Sequence, residues 1–208
     1  MENPYLSLSD QRIVVAGAGV TGISVARELQ NRGAIVTFAD EKVREVAGFE
    51  VKNPTEIAAD SFDALMVSPG WREDHSLIQL ARAEKKTILN EIDFAWHIKN
   101  EKHPQQKWLA LTGTNGKTTT VEMVAHIFKQ AGINAIACGN VGTTVIDSVT
   151  GPEKYEYLIL ELSSFQLHWL QDAHFVSAAI LNIADDHVDW HGSFDAYAHD
   201  KVSILDKS

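Results

Sequence analysis

Four short segments and one lysine carry residue types whose spacing could do chemistry. The segment Gly17-Ala18-Gly19-Val20-Thr21-Gly22 follows an apolar run and opens an amphipathic one. Glycines there permit a tight turn and close approach of a diphosphate to a helix N-terminus, where free N–H groups favour anions. Asp40, at the end of the next β-branched run, stands where a ribose hydroxyl would be received. This motif is open to a dinucleotide or to a UDP-sugar. The segment Thr112-Gly113-Thr114-Asn115-Gly116-Lys117-Thr118-Thr119 departs from the strict phosphate-loop pattern, because Leu111 occupies the place of its first glycine. Its mechanics survive: backbone N–H groups face phosphates, Lys117 reaches the β/γ oxygens, and Thr118 can ligate Mg²⁺.

The run Tyr157-Leu158-Ile159-Leu160 is apolar on both faces and ends in Glu161. A buried parallel strand ending in a carboxylate puts that group at the edge where open α/β sheets bind ligands, and Mg²⁺ on bound phosphates would neutralise it. Asp185, Asp186, His187, Asp189 and His191 crowd one short stretch past another apolar run. They are open to a hydrolytic metal centre or to a second Mg²⁺ site, with His191 the weakest candidate. Lys201 falls on the expected inward face of a last helix, with Phe194, Tyr197, Ala198, Val202 and Leu205. Such a lysine snorkels to water or is held neutral by desolvation and modified.

Short β-branched runs alternating with amphipathic stretches predict βαβ units around parallel sheets. Strands are expected at Arg12 to Ala16, Ile35 to Ala39, Ala64 to Val67 and Thr87 to Leu89. After a polar stretch a second series is expected at Trp108 to Leu111, Asn134 to Ala137, Tyr157 to Leu160 and Val176 to Leu181. Helices are expected from Lys117 to Ala131 and from Phe194 onward, the latter capped by Ser193. The fold class is therefore α/β, with a Rossmann-like parallel-sheet domain over 1–98, a linker over 99–107 (polar, with Pro104), and a phosphate-loop α/β domain over 108–208. That second domain reads as incomplete, with few strands and a terminal helix.

At about 150 residues per domain, 208 residues allow two units. The chain is 45% hydrophobic, which excludes a disordered one. A net charge of −10 argues against nucleic acid and anionic membrane as partners. Cys138 is the single cysteine, so no internal disulfide can form and a reducing compartment fits. No apolar run is long enough for a signal peptide core or a membrane span. A cytoplasmic location is expected.

Taken together, GAGVTG, the SPG of Ser68 to Gly70, TGTNGKTTT, the GNVG of Gly139 to Gly142, ELSSFQL, LNIADDHVDWH and YAHDK resemble the Mur ligase family in order along the whole chain. The resemblance implies an ATP-dependent amide ligase of peptidoglycan precursor synthesis working through an acyl phosphate. Within it, GAGVTG and ELSSFQL favour the branch that adds D-glutamate to UDP-N-acetylmuramoyl-L-alanine. A different amino acid, or nicotinamide chemistry on the first motif alone, are the alternatives. It further implies that Gly113, Thr114, Asn115, Gly116, Lys117, Thr118 and Thr119 hold ATP, with Thr118 and Glu161 on one Mg²⁺. His187 and a carbamate on Lys201 would hold a second, near the acyl group. Asn140 would contact the muramoyl part, and Val20, Thr21, Asp40, Glu41, Lys42, Ser68 and Gly70 would line the UDP site. Lys117, Glu161, His187 and Lys201 form the implied catalytic set. Family members are longer, with a third, amino-acid-binding domain, so a fragment inactive by itself is expected, monomeric and taking small-molecule substrates only.

Overall fold

The computed structural model describes residues 3–208 as two compact units that meet in sequence between Phe94 and Ala95. The first contains β1 (Arg12–Ala16), α1 (Val20–Asn31), β2 (Ile35–Ala39), β3 (Glu50–Lys52), β4 (Ala64–Val67), α2 (Ser76–Ala83) and β5 (Thr87–Asn90). Helix α3 (Glu91–Lys102) follows directly. The second contains β6 (Lys107–Thr112), α4 (Lys117–Gln130), β7 (Ala135–Gly139), α5 (Val145–Thr150), β8 (Tyr157–Glu161), α6 (Ser164–Trp169), β9 (Ser177–Ile180), α7 (Val188–His191) and α8 (Phe194–Val202). Among the described residues no helix is long and apolar enough to cross a membrane.

Both sheets are wholly parallel. The first has strand order β3-β2-β1-β4-β5 and the second β7-β8-β6-β9. Strand β1 is central because Ile13 to Ala16 are buried, as a parallel strand covered on both faces requires. On either side of it the chain departs in opposite directions, to β2 and to β4, and the carboxyl ends of β1 and β4 therefore open a crevice. Helix α1 lies against this sheet through Val25, Ala26 and Leu29. It starts so close to the turn before it that a Cβ on Gly22 would stand 2.0 Å from the Gly17 carbonyl oxygen. In the second sheet β6 lies between β8 and β9, with Leu111 registered against Glu161.

Several expectations are corrected. Residues 99–102, read as the start of a linker, are the last turn of α3, and Lys107 already belongs to β6. The turn is stable because Glu91 and Asp93 sit at the positive end of the helix and Lys99 and Lys102 at its negative end. Asn90 also accepts from the Asp93 amide at 2.9 Å. Polar composition at 99–107 thus concealed a helix end. Strand β3 went unread because it is three residues long, charged at both ends, and at the sheet edge, where charge discourages further pairing. Strand β9 is shorter than Val176 to Leu181. The inward face of α8 also differs: Tyr197 and Lys201 are buried, whereas Phe194 and Val202 are exposed, and Leu205 lies exposed in a 3-10 turn beyond the helix.

Replacement of Gly22 by alanine forces a methyl group into the Gly17 carbonyl, an overpacking expected to cost about 2–3 kcal/mol. Urea unfolding of Gly22→Ala should show a lowered midpoint, while Gly19→Ala, with open space around its Cβ, should change it far less.

Candidate functional site

In the first unit the crevice beyond β1 is built around a carboxylate. Asp40 Oδ2 accepts from the Ala18 amide at 2.9 Å, and Oδ1 accepts from Lys42 and Val43 at 2.8 and 2.9 Å. Burial alone would raise this carboxyl; the amides of Ala18, Val43 and Lys42, with Arg44 nearby, outweigh it and hold Asp40 below the usual carboxylate range. Asp40 therefore ties the glycine turn to the loop after β2, in addition to facing the crevice. A cavity of ≈ 400 Å³ is lined by Asp40, Glu41, Lys42, Gly70, Trp71 and His75 among others. Gly17 adopts φ 100, and a Cβ there would come within 2.9 Å of Ser68 Oγ and 3.0 Å of Trp71 Nε1. Val20 is exposed and Thr21 half-buried on the first turn of α1, whose N-cap Gly19 contributes no side chain. Trp71 and His75 carried no sequence signal. Their rings lie 4.2 Å apart at the cavity wall, and His75 also caps α2 by accepting from the Leu77 amide.

In the second unit the turn after β6 is held from the loop after β9. The Asn115 amide donates to Asn182 Oδ1 and Asn182 Nδ2 donates back to the Asn115 carbonyl, both at 3.0 Å. Thr114 Oγ1 accepts from the Ala184 amide at 2.9 Å and lies 2.8 Å from the Tyr197 hydroxyl. Gly116 takes φ 84 where the turn enters α4. A Cβ on Gly113 would lie 3.1 Å from Leu181 Cβ. Lys117 Nζ donates to the Thr114 carbonyl at 3.0 Å, and Thr118 and Thr119 are exposed on the first turn of α4.

Glu161, at the end of β8, is only 2% exposed. Its Oε1 accepts from Asn140 Nδ2 at 3.1 Å, whereas Oε2 is buried with no hydrogen-bond partner. Gly139, at φ 117, lets the Asn140 segment press against Glu161: a Cβ there would stand 2.4 Å from the Glu161 carbonyl oxygen. A buried carboxylate with one bare oxygen calls for a cation, so the residues present fit a divalent metal at this edge. Lys201, also 2% exposed, does not snorkel. Its Nζ donates to the Gly113 carbonyl at 2.8 Å and to Thr112 Oγ1 at 3.3 Å, and stands 4.9 Å from the centre of the Tyr197 ring. Desolvation, helped by the charge of Lys117 and opposed by Asp186, lowers its amine to about 8.

The crowded acid and imidazole segment is dispersed by its backbone. His187 takes φ 51, has an exposed side chain, and faces Phe165 at 4.8 Å and Asp186 Oδ2 at 3.4 Å. Its ring lies 6.5 Å from that of Tyr197, which Lys201 Nζ also approaches, at 4.9 Å. Asp185 and Asp189 are exposed. His191, the weakest candidate by sequence, is the side chain drawn inward: its Nδ1 lies 3.0 Å from Asp200 Oδ2 and its Nε2 3.0 Å from Ser164 Oγ. Burial lowers the His191 imidazole, outweighing the raising effect of Asp200. His168 Nδ1 meets the same Asp200 oxygen at 2.8 Å. His168, Ser164 and Asp200 were not singled out by sequence, since their separations match no metal or catalytic motif.

Residues 111–208 match the family model of the Mur ligase middle domain. Over 95% of its length the chain is 40% identical to the UDP-N-acetylmuramoylalanine–D-glutamate ligase of Streptomyces coelicolor, of which it covers 45%. To the ligase of the same name from Corynebacterium diphtheriae it is 38% identical over 93% of its length, covering 43% of that protein. The chain thus spans less than half the length of these relatives. Its fold is similar to that of the UDP-N-acetylmuramate:L-alanyl-gamma-D-glutamyl-meso-diaminopimelate ligase from Neisseria meningitides, with TM-score 0.56 and 16% identity over 95% of this chain and 69% of that one. The UDP-N-acetylmuramate-alanine ligase from Thermotoga maritima gives TM-score 0.53 and 24% identity over 95% and 47%. At these identities the structural likeness is one of fold.

Burial lowers the Lys201 amine to about 8 in the folded chain, from an ordinary lysine value of 10.5. Between these values unfolding takes up a proton, so this lysine makes stability rise with pH. Stability measured by urea unfolding in EDTA should climb over that interval, and Lys201→Met should flatten the climb.

Proposed function

We propose that the chain is part of a Mur ligase and serves the ATP-dependent joining of D-glutamate to UDP-N-acetylmuramoyl-L-alanine through an acyl phosphate; the match of residues 111–208 to the Mur ligase middle domain and the likeness to D-glutamate ligases support this reading. Binding of the UDP compound and of the ATP phosphates is assigned to the residues present here, and amide formation to the whole protein. The reading includes a monomer acting in the cytoplasm, in peptidoglycan precursor synthesis, without nucleic-acid or membrane partners.

The observation that carries the proposal is the convergence on one sheet edge of the 112–119 turn, the bare Glu161 Oε2, and a buried Lys201 bonded to the Gly113 carbonyl. A substrate carboxylate must approach a phosphate, and two anions at about 4 Å repel by about 4 kcal/mol at an effective dielectric of 20. Mg²⁺ at this edge supplies the compensating positive charge when bound. Glu161 and Thr118 would hold one ion, with Asn140 fixing Glu161 through Oε1 so that Oε2 points to the cation. The amides of Gly113 to Thr119 and the ammonium of Lys117 would bind the phosphates. Lys201, with its lowered amine, would add to CO₂ with loss of a proton and become an anionic oxygen ligand, sharing a second ion with His187. Asn140 would also contact the muramoyl part.

In the first unit, the cavity beside Asp40, Glu41, Lys42 and Gly70, with Val20, Thr21 and Ser68 at the glycine turn, is assigned to the UDP group. The first-turn amides of α1 would take its diphosphate.

Calorimetric titration of this chain with UDP-N-acetylmuramoyl-L-alanine, with NAD in parallel, tests the assignment. Saturable binding of the UDP compound alone is expected, and binding of NAD alone would return the protein to nicotinamide chemistry. For Mg²⁺–ATP, Lys117→Ala and Glu161→Gln should each weaken binding about tenfold or more, since charged hydrogen-bond partners contribute about 1.5–3 kcal/mol. Affinity for the UDP compound should be unchanged in both.

A further inference from the structure

Three helices of the second unit converge on a single carboxylate oxygen. His168 comes from α6, His191 from the end of α7, and Asp200 from α8. The two Nδ1 atoms lie 2.8 and 3.0 Å from Asp200 Oδ2, and all three candidate donor atoms fall within 4.8 Å of one another. We propose that His168, His191 and Asp200 form a binding site for a divalent transition metal of the Zn²⁺ class, separate in residues and in ion type from the Mg²⁺ positions proposed above.

The donor set decides the ion. Two imidazoles with one carboxylate suit Zn²⁺, Co²⁺ or Ni²⁺, whereas Mg²⁺ prefers an all-oxygen shell. Bonds of about 2.0–2.2 Å place neighbouring ligands about 3 Å apart, which is the spacing Asp200 Oδ2 already keeps from both nitrogens. The scaffold is ordered around the donors: the His191 side chain is 1% exposed, its ring stacks on Phe165 at 5.6 Å and 7°, and His168 packs edge-on to Trp190 at 5.1 Å. A supporting hydrogen bond is also built in. With its proton on Nε2, His191 donates to Ser164 Oγ at 3.0 Å and turns the Nδ1 lone pair toward the ion, as metal-bound imidazoles require. Metal uptake therefore exchanges two Nδ1–H bonds to Asp200 for two metal–nitrogen bonds, each ring proton moving to Nε2.

The local charge is favourable. With both imidazoles neutral, as ligation requires, an ionised Asp200 leaves one negative charge on the donor set, and the Nζ of neighbouring Lys201 is bonded instead to the Gly113 carbonyl. His199 approaches only the other Asp200 oxygen, at 3.8 Å. An ion here would pin α6, α7 and α8 together and hold the helix that carries Tyr197 and Lys201.

The test is a Co²⁺ titration of this chain after EDTA treatment, in excess Mg²⁺ so that oxygen-ligand sites are occupied, followed by visible absorption. A d–d band saturating at one equivalent and abolished by Zn²⁺ is expected, with a Zn²⁺-dependent rise in melting temperature that Mg²⁺ does not reproduce. His168→Ala and the isosteric Asp200→Asn should weaken Co²⁺ binding by more than about tenfold. His126→Ala, which removes an exposed imidazole of α4, should leave it unchanged. Should the alanine variant lose its native melting transition, His168→Gln takes its place. Absence of the band in the parent chain, or a band of unchanged affinity in both cluster variants, would overturn the proposal.

Discussion

Parallel pairing of β6 with β8 and β9 is the interaction on which the second unit's chemistry depends. Parallel strands end at a common edge, and the register of Leu111 against Glu161 sets the phosphate-type turn one strand away from a buried carboxylate. The pairing of Thr112 with Ile180 brings the loop after β9 to the same edge, where Asn182 and Ala184 bind Asn115 and Thr114. None of these groups needs to be near another in sequence; the ladder does the gathering. The first unit repeats the logic, with the change of direction at β1 opening its crevice.

Burial gives these groups their chemical character. Glu161 and Lys201 are each removed from water, and each is compensated only in part. Glu161 retains an oxygen with no donor, and Lys201 bonds to a carbonyl and a hydroxyl rather than to an anion. Desolvation is costly for both, so the edge is poised for a cation beside Glu161 and for loss of the proton at Lys201. Asp40 shows the opposite arrangement: three amides satisfy its charge, which makes it an organiser of its loop.

Imidazoles sort by the same rule. His187, exposed at a left-handed backbone position, stays available to a ligand, whereas His191 is drawn under Phe165 into contact with Asp200 and Ser164. Four residues of sequence separate a solvent-facing group from a buried one, because His187 caps α7 from a left-handed position outside the helical turn, whereas His191 closes that turn.

The alternation of apolar runs and amphipathic stretches determined the α/β class, most strands, and the edge positions of Gly17 to Gly22, Thr112 to Thr119 and Glu161. These follow from local rules: a strand buried on both faces is apolar throughout, and a phosphate turn needs its glycines and lysine in contiguous order. Local rules were silent on β3, whose charged three-residue edge has no periodicity, and they misread the end of α3 as a linker because capping and dipole complementarity look polar. They also placed Phe194 and Val202 inward on α8, where packing selected Tyr197 and Lys201. Only the tertiary structure decided the bare oxygen of Glu161, the carbonyl partner of Lys201, the ring pair of Trp71 and His75, and the meeting of His168, His191 and Asp200. Each depends on distances between segments remote in sequence, and such distances are set by sheet order and helix packing, which no single segment encodes.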